Sequence, residues 1–224
     1  MHIKGTDIVV KEFGHYVQFT SRDADSLLNL QKSLLKDYTD QVKEVVYTPK
    51  EVLAKCMGKV DWDSFILTSK GAREEKKLYH LPIYFGGQQD WVSIIEQTGL
   101  AKSEYIEQLL SATFTLDLLG FVPGFLYFSG LPEALKCPRK DHPTSTIPPN
   151  CLAIGGEYLG FYALPTPSGW SILGQCPLVM TDFHRMPPVE VQVKDKVRLV
   201  SLSKVEYEAL IQRKLSLTEY NEGL

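Results

Sequence analysis

The sequence predicts an α+β layer followed by a mainly β domain, and three observations carry the prediction. From residue 7 to residue 70, short β-rich runs alternate with amphipathic segments at helical spacing, in the order ββαββα. Of the 13 prolines, 11 lie between positions 120 and 190 with 8 of the 16 glycines, a density that ends helices and favours short strands and shaped loops. The chain has 224 residues, 44% hydrophobic and 23% charged, an ordinary globular composition. At that length folding buries roughly 70% of the unfolded chain's surface, so a core needs neither disulfides nor a structural metal.

Residues 7–20, DIVVKEFGHYVQFT, give two β-rich runs broken at Gly14, a hairpin signal. A helix follows, with Ser21 or Asp23 as cap and Leu27, Leu30 and Leu34, flanked by Leu28 and Leu35, as its apolar stripe. VKEVVY (42–47) and EVLAKC (51–56) read as a second strand pair, and VDWDSFILTSK (60–70) as a second amphipathic helix. KLYHLPIY (77–84) is a strand leading into the turn GGQQ, after which Asp90 caps the short helix WVSIIEQT, stopped at Gly99. Another short helix spans 103–110. TFTLDLLGF resumes as a strand, β-structure continues to about Ser203, and KVEYEALIQRK closes the chain as a helix. The division expected is an α+β domain over residues 1–85 and a mainly β domain over 86–224.

A net charge of −3 gives no basic stripe to neutralise phosphates, which argues against nucleic acid, and an anionic membrane surface is equally unsupported. The most apolar run, LLGFVPGFLYFSGL, is too short and too rich in glycine to span a bilayer. Cys56, Cys137, Cys151 and Cys176 form no CxxC pair, and the five histidines show no ligand spacing, so no metal is expected. The start, MHIKGTDIVVKEFG, lacks a signal peptide's apolar segment, so the cysteines read as reduced thiols of a cytoplasmic protein.

Three segments stand out chemically. GFVPGF (120–125) is either a pocket wall shaped by glycine, proline and phenylalanine or a tight turn plugging the core. CPRKDHP (137–143) offers Arg139, Lys140 and His142 on a stiff loop, where they could hold an anion or simply be solvated; a Cys137–His142 nucleophile pair lacks an orienting third group. From 144 to 181 the single charge is Glu157, inside IGGEYLG, which is either a solvated turn residue or an acceptor for a ligand. As a phosphate loop that glycine run is weak, lacking the Walker lysine.

LPIYFGG (81–87), the helical EQTGLAKSEYIEQLLSA, LGFVPGFLYFSGLP (119–132) and CPRKDHPTSTIPPNCLAIGGEYLGFYALPTPSGWSILGQCPL (137–178) together resemble the family of KipI and the B-type subunit of 5-oxoprolinase, formerly labelled allophanate hydrolase subunit 1. For fold, the resemblance implies that the second domain is a cyclophilin-like barrel. For activity, it implies one component of an ATP-dependent 5-oxoprolinase, which opens 5-oxo-L-proline to L-glutamate with two partners, a homologous KipA-like C-type subunit plus the A-type subunit of 5-oxoprolinase. ATP is then the cofactor of the complex, since this chain carries no nucleotide motif.

Mapped onto this chain, the family's pocket signature falls on Gly120, Phe121, Pro123, Gly124, Phe125 and Tyr127, with further elements at Pro138-Arg139, Gly155-Gly156 and Gly169-Trp170. With the groups chosen by their chemistry, the substrate-binding candidates add Arg139, Lys140, His142, Glu157, Trp170 and Gln175; no catalytic residue is assigned. The chain departs from the pattern at Leu109, Thr113, Leu126, Thr144, Glu157 and Gln175, where relatives have His, Glu, Pro, a basic residue, Gln and Arg. Those changes leave open an alternative, a KipI-like regulator that binds and inhibits a sensor histidine kinase. Prolyl isomerase activity rests on fold analogy alone.

Overall fold

The computed structural model describes residues 2–62, 64, 65, 67, 75–87, 90–185 and 187–224. Contacts divide the chain into two compact units, residues 1–75 and 76–224.

In the first unit, β1 (Val9–Phe13) and β2 (Tyr16–Thr20) form the expected hairpin, turning at Gly14 with φ 62°. Helix α1 (Ala24–Asp37) starts at Asp23, whose carboxylate accepts from the backbone N–H of Asp25 and Ser26. Leu27, Leu28, Leu30 and Leu34 are buried as the spacing predicts, but Leu35 is 54% exposed because it stands one position past the stripe. β3 (Val42–Tyr47) and β4 (Glu51–Cys56) complete an antiparallel sheet in the order β1-β2-β4-β3. The helix expected over 60–70 is a correction: its described residues, 60–62, 64, 65 and 67, are not helical, and the others lie outside the described residues. Trp62 and Phe65 are buried, and a single turn-like bond, Phe65 N–H to Trp62 C=O, already brings both rings inward. Trp62 meets Phe19 edge-on at 5.0 Å, and Phe65 stacks on Tyr38 at 4.6 Å.

The second unit is mainly β. Its strands are β5 (Leu78–Ile83), β6 (Phe114–Leu119), β7 (Leu126–Ser129), β8 (Thr144–Ile147), β9 (Cys151–Gly155), β10 (Tyr158–Tyr162), β11 (Thr166–Ser168), β12 (Ser171–Gln175) and β13 (Lys196–Ser201). Seven of them form one sheet in the order β12-β9-β10-β7-β6-β13-β5, and β8 and β11 form a separate ribbon. β5 pairs parallel with β13, so this strand, grouped with the first domain in a division at residue 85, has its ladder in the second unit. The sheet curls until its two edges meet: Tyr84, just past β5, exchanges backbone hydrogen bonds of 2.8 and 3.0 Å with Gln175 of β12.

Helices α2 (Trp91–Thr98) and α3 (Lys102–Ser111) send Trp91, Ile94, Tyr105 and Leu109 into the core formed with Leu126, Phe128, Leu152, Ile154, Phe161 and Leu173. α2 ends as expected at Gly99, φ 72°. α4 (Lys204–Arg213) opens with a capping box between Ser203 and Glu206. A last helix not foreseen, α5 (Leu217–Glu222), has its own box from Ser216 and Glu219 and is tied to β5 by two bonds between Asn221 and the His80 backbone. Among the described residues no helix is long and apolar enough to cross a membrane.

The opposite face of the sheet is also covered. Phe125, Tyr162, Trp170, Ile172 and Cys151 pack there with Ile147 of the β8–β11 ribbon, which is why all five residues of β9 are buried. Trp170 lies directly over Gly155 and Gly160: an added Cβ would come within 2.5 Å of the indole at either position. These two glycines therefore seat a ring, and only Gly156, φ 65°, serves the hairpin turn.

All four cysteines are buried and free. Burial pushes the Cys151 thiol from 9.0 up to about 11 and that of Cys176 from 9.0 up to about 12.

Two outcomes follow from this packing. Gly160→Ala loses about 1–3 kcal/mol in urea unfolding because the indole and the Phe125 ring cannot both yield, whereas Gly58→Ala, with open space around it, stays within about 0.5 kcal/mol. The thiols bind their protons more tightly folded than unfolded, so their contribution is full below pH 9.0 and falls as pH rises toward about 11 and 12. Unfolding midpoints between pH 8 and 11 should decline, and Cys176→Ala should flatten the decline relative to its own value at pH 8; an unchanged slope speaks against the assignment.

Candidate functional site

The loop 137–143 carries two adjacent cations, and the backbone separates them. The Lys140 N–H donates to the Gly169 carbonyl at 2.7 Å, which pins the loop against the turn before β12. Arg139 then stands over the Trp170 ring, 5.8 Å from its centroid, on the aromatic face. Lys140 points the other way, its ammonium 2.6 Å from an Asp90 carboxylate oxygen and 3.2 Å from the Thr144 hydroxyl.

Asp90 occupies the N-cap position of α2 but makes no capping bond, which corrects the sequence reading. Its Oδ2 is taken by Lys140 and by the backbone N–H of Ile172 at 2.7 Å. A charge-assisted bond to a lysine plus a strand N–H outcompetes the helix's own first-turn donors. The pair is largely screened from water, the side chains being 16% (Lys140) and 29% (Asp90) exposed.

This pair stands in the wall of a cavity of about 440 Å³. The polar lining is completed by Thr144, Thr146 and Gln175, and the apolar lining by Ile147, Pro148, Cys151 and Ile172. Gln175 comes from the end of β12, where its backbone closes the sheet; its side-chain oxygen accepts from the Tyr207 hydroxyl of α4 at 3.2 Å. Tyr207 in turn stacks on Tyr84 at 5.0 Å. Cys151 remains a neutral thiol at neutral pH, since burial holds its pKa at about 11.

The GFVPGF segment builds the neighbouring aromatic cluster. Val122 N–H donates to Gly120 C=O at 2.9 Å, a three-residue turn that puts Phe121 at φ 66°, an uncommon conformation for a residue with a Cβ. Phe121 is 63% exposed and stands edge-on to Phe125 and Tyr162. Gly124, φ 80°, lets the chain pass Thr181 and Ala163, which a Cβ would approach to 2.7 and 2.8 Å. Tyr127 packs against Phe125 and Trp170.

Of the residues singled out from sequence, Gly120, Phe121, Pro123, Gly124, Phe125 and Tyr127 thus form or shape the aromatic cluster, with Trp170 at its centre and Arg139 above it. Lys140 and Gln175 line the cavity. His142 and Glu157 are exposed, one on the loop and one at the β9–β10 turn, and neither lines it. Cys137 is buried with its thiol raised, and no contact joins it to His142. Sequence reading missed Asp90 and Thr146 as cavity residues, and Thr144 entered only as a departure. The Asp90–Lys140 contact spans fifty positions and leaves no local signal.

The residues present do not fit ATP. Among the described residues the cavity lining offers a triphosphate a single cation, Lys140, and Gly155 and Gly160 are filled by Trp170 rather than open to a phosphate. No step is derived through the nucleotide. Among the described residues no group of three or more His, Cys, Asp or Glu side chains is placed to hold a metal.

Residues 1–191 match the family described as carboxyltransferase domain, subdomain C and D. The chain is similar to the B subunit of 5-oxoprolinase from Escherichia coli O157:H7, 33% identical over 134 residues, covering 59% of this chain and 62% of that protein. It thus spans less than two thirds of that relative. Among solved structures, the conserved protein PH0987 from Pyrococcus horikoshii is 25% identical with a TM-score of 0.56, over 89% of this chain and 100% of that one. The Kluyveromyces lactis urea carboxylase is 14% identical with a TM-score of 0.66, over 92% of this chain and 23% of that one, a likeness of fold alone. Since the family match runs through the whole of the first compact unit and most of the second and the relative carries the name that the sequence signatures pointed to, the chain belongs to the family of the carboxyltransferase domain, subdomain C and D.

Proposed function

We propose that this chain is the B-type subunit of a 5-oxoprolinase, which opens 5-oxo-L-proline to L-glutamate together with a KipA-like C-type subunit plus an A-type subunit, in the cytoplasm and at the expense of ATP. Its second unit is then a cyclophilin-like barrel joined to a separate N-terminal α+β domain. The observation that carries the reading is the Asp90–Lys140 pair in the wall of the cavity. It sets a cation and an acceptor, both largely out of water, beside a stretch whose single charge is otherwise Glu157. A small anionic amide is the ligand such a site suits. The names of relatives such as that of Escherichia coli O157:H7 support the same assignment.

The chemistry fits a subunit that binds and orients rather than one that attacks. Amide resonance makes a lactam carbonyl a poor electrophile, so its activation by phosphate is a physical reason to couple ATP. Among the described residues that line the cavity no group is poised for the attack: the Cys151 thiol is protonated at neutral pH and one oxygen of Asp90 is fully engaged. Nucleotide binding and carbonyl activation then fall to the partner subunits, which agrees with the poor fit of ATP here. The kinase-regulator alternative gains no separate support from the site.

The test is reconstitution. With partner subunits and ATP, glutamate formation from 5-oxo-L-proline should require this chain, and Lys140→Met should lower kcat/KM roughly 10- to 100-fold, the loss expected for a charge-assisted hydrogen bond of about 1.5–3 kcal/mol. Full activity without the chain overturns the reading.

A further inference from the structure

The cavity's polar groups are only partly used by one another, and what they leave unused describes a ligand. Both contacts of the Asp90 carboxylate fall on Oδ2, so among the described residues Oδ1 is without a hydrogen bond, on a residue that lines the cavity. The Lys140 ammonium has three N–H donors. Two are occupied, by Asp90 and by the Thr144 hydroxyl, and one is left.

Gln175 is oriented by a neighbour outside the cavity. Tyr207 donates its hydroxyl to the amide oxygen, which turns the amide nitrogen away from α4. Any interaction of the Gln175 side chain with the neighbouring Cys151 thiol takes up no more than one amide N–H. An amide nitrogen has two, and the second remains. The Tyr84 ring stacked on Tyr207 holds the tyrosine in place.

We propose that this cavity recognises its ligand at three points, as a carboxylate-bearing amide with the carboxylate on Lys140, the amide N–H on Asp90 Oδ1 and the amide carbonyl on the Gln175 nitrogen, with Tyr207 as the positioning residue for Gln175. The proposal rests on the 5-oxoprolinase reading and deepens it. One acceptor and two donors stand in the cavity, and a cyclic amide acid presents one donor and two acceptors. A lactone acid of the same shape has no N–H for Asp90 and places a lone pair against its free oxygen. Proline keeps the carboxylate and offers Asp90 a charged NH2+ in place of the amide N–H, but it has no carbonyl for the Gln175 donor.

The experiment is calorimetric titration of the full chain with three probes: 5-oxo-L-proline, L-proline and 5-oxotetrahydrofuran-2-carboxylate, the lactone counterpart. Wild type should bind the lactam acid at least about tenfold more tightly than the lactone acid, with L-proline as the probe that does not use Gln175. Gln175→Leu and Tyr207→Phe should each weaken 5-oxo-L-proline about three- to tenfold while leaving L-proline unchanged. Phenylalanine keeps the stack on Tyr84, so a merely structural role would move both probes together or neither. Equal affinity for lactam and lactone overturns the Asp90 contact and with it the three-point scheme. Equal weakening of both probes, or no weakening, in Tyr207→Phe overturns the positioning role. If wild type binds no 5-oxo-L-proline while the reconstituted enzyme still requires the chain, this proposal fails and the subunit reading stands; if the chain is dispensable for glutamate formation, the reading itself fails.

Discussion

The second unit depends on the approach of two strand edges at Tyr84 and Gln175. An open edge of a sheet leaves its N–H and C=O groups facing water or another chain. Here the pair of backbone bonds ties β5 to β12, and the approach is so close that position 174 can hold only glycine: a Cβ would come within 2.6 Å of the Tyr84 carbonyl and 2.7 Å of the Ile83 side chain. Gly86 meets a related demand, since its Cβ would come within 2.2 Å of the hydroxyl end of the Tyr84 ring. Once the edges are joined, the Gln175 side chain is delivered to the cavity and the Tyr84 ring to Tyr207. The seam is thus the element on which both the wall of the site and its outside support are built.

The same closeness explains how a region almost without charge can still be chemically specific. Burying a polar group is costly unless it is paired, so a neutral β-region admits few ions and holds those it admits tightly. Asp90 and Lys140 enter from opposite ends of the chain segment, one from the head of α2 and one from the 137–143 loop, and satisfy each other at 2.6 Å. Such a pair adds little to stability, because desolvation offsets most of the attraction. Its value lies in geometry: the pairing fixes where the remaining oxygen lone pairs and the remaining N–H point.

Much of the framework was legible because local rules govern it. The Leu27, Leu30 and Leu34 stripe, the Gly14 hairpin, the stop at Gly99 and the concentration of strands where proline and glycine crowd together all follow from spacing and backbone preference. The failures share a cause in tertiary partners. Asp90 has every local mark of an N-cap, yet Lys140 and the Ile172 N–H hold its carboxylate more strongly than α2 can. Trp62 and Phe65 imitate a helical face, yet Phe19 and Tyr38 receive them from a single turn. Glycine was the most misleading residue type. Gly155 and Gly160 read as turn glycines, but they sit in strands, and their lack of a side chain is filled by Trp170.

That last point bears on how the candidate site was divided by the structure. The family-like signature at 120–127 and Trp170 were grouped with Lys140 and Gln175 as one set of ligand contacts, but the protein separates them. Trp170 is nearly inaccessible, covered on one side by glycine-bearing strands and bounded on the other by Arg139. Its role is to carry the β8–β11 ribbon, from which Thr144, Thr146 and Ile147 reach the cavity. The aromatic signature therefore works mainly as the foundation under the cavity, while the cavity itself is lined by side chains that were individually inconspicuous in sequence. A fold that rests on buried rings such as Phe125 and Trp170 and lines its cavity with Thr, Gln and one ion pair can retain the signature while the cavity changes, since replacing Thr144 or Gln175 alters the donor pattern without disturbing the ring packing beneath.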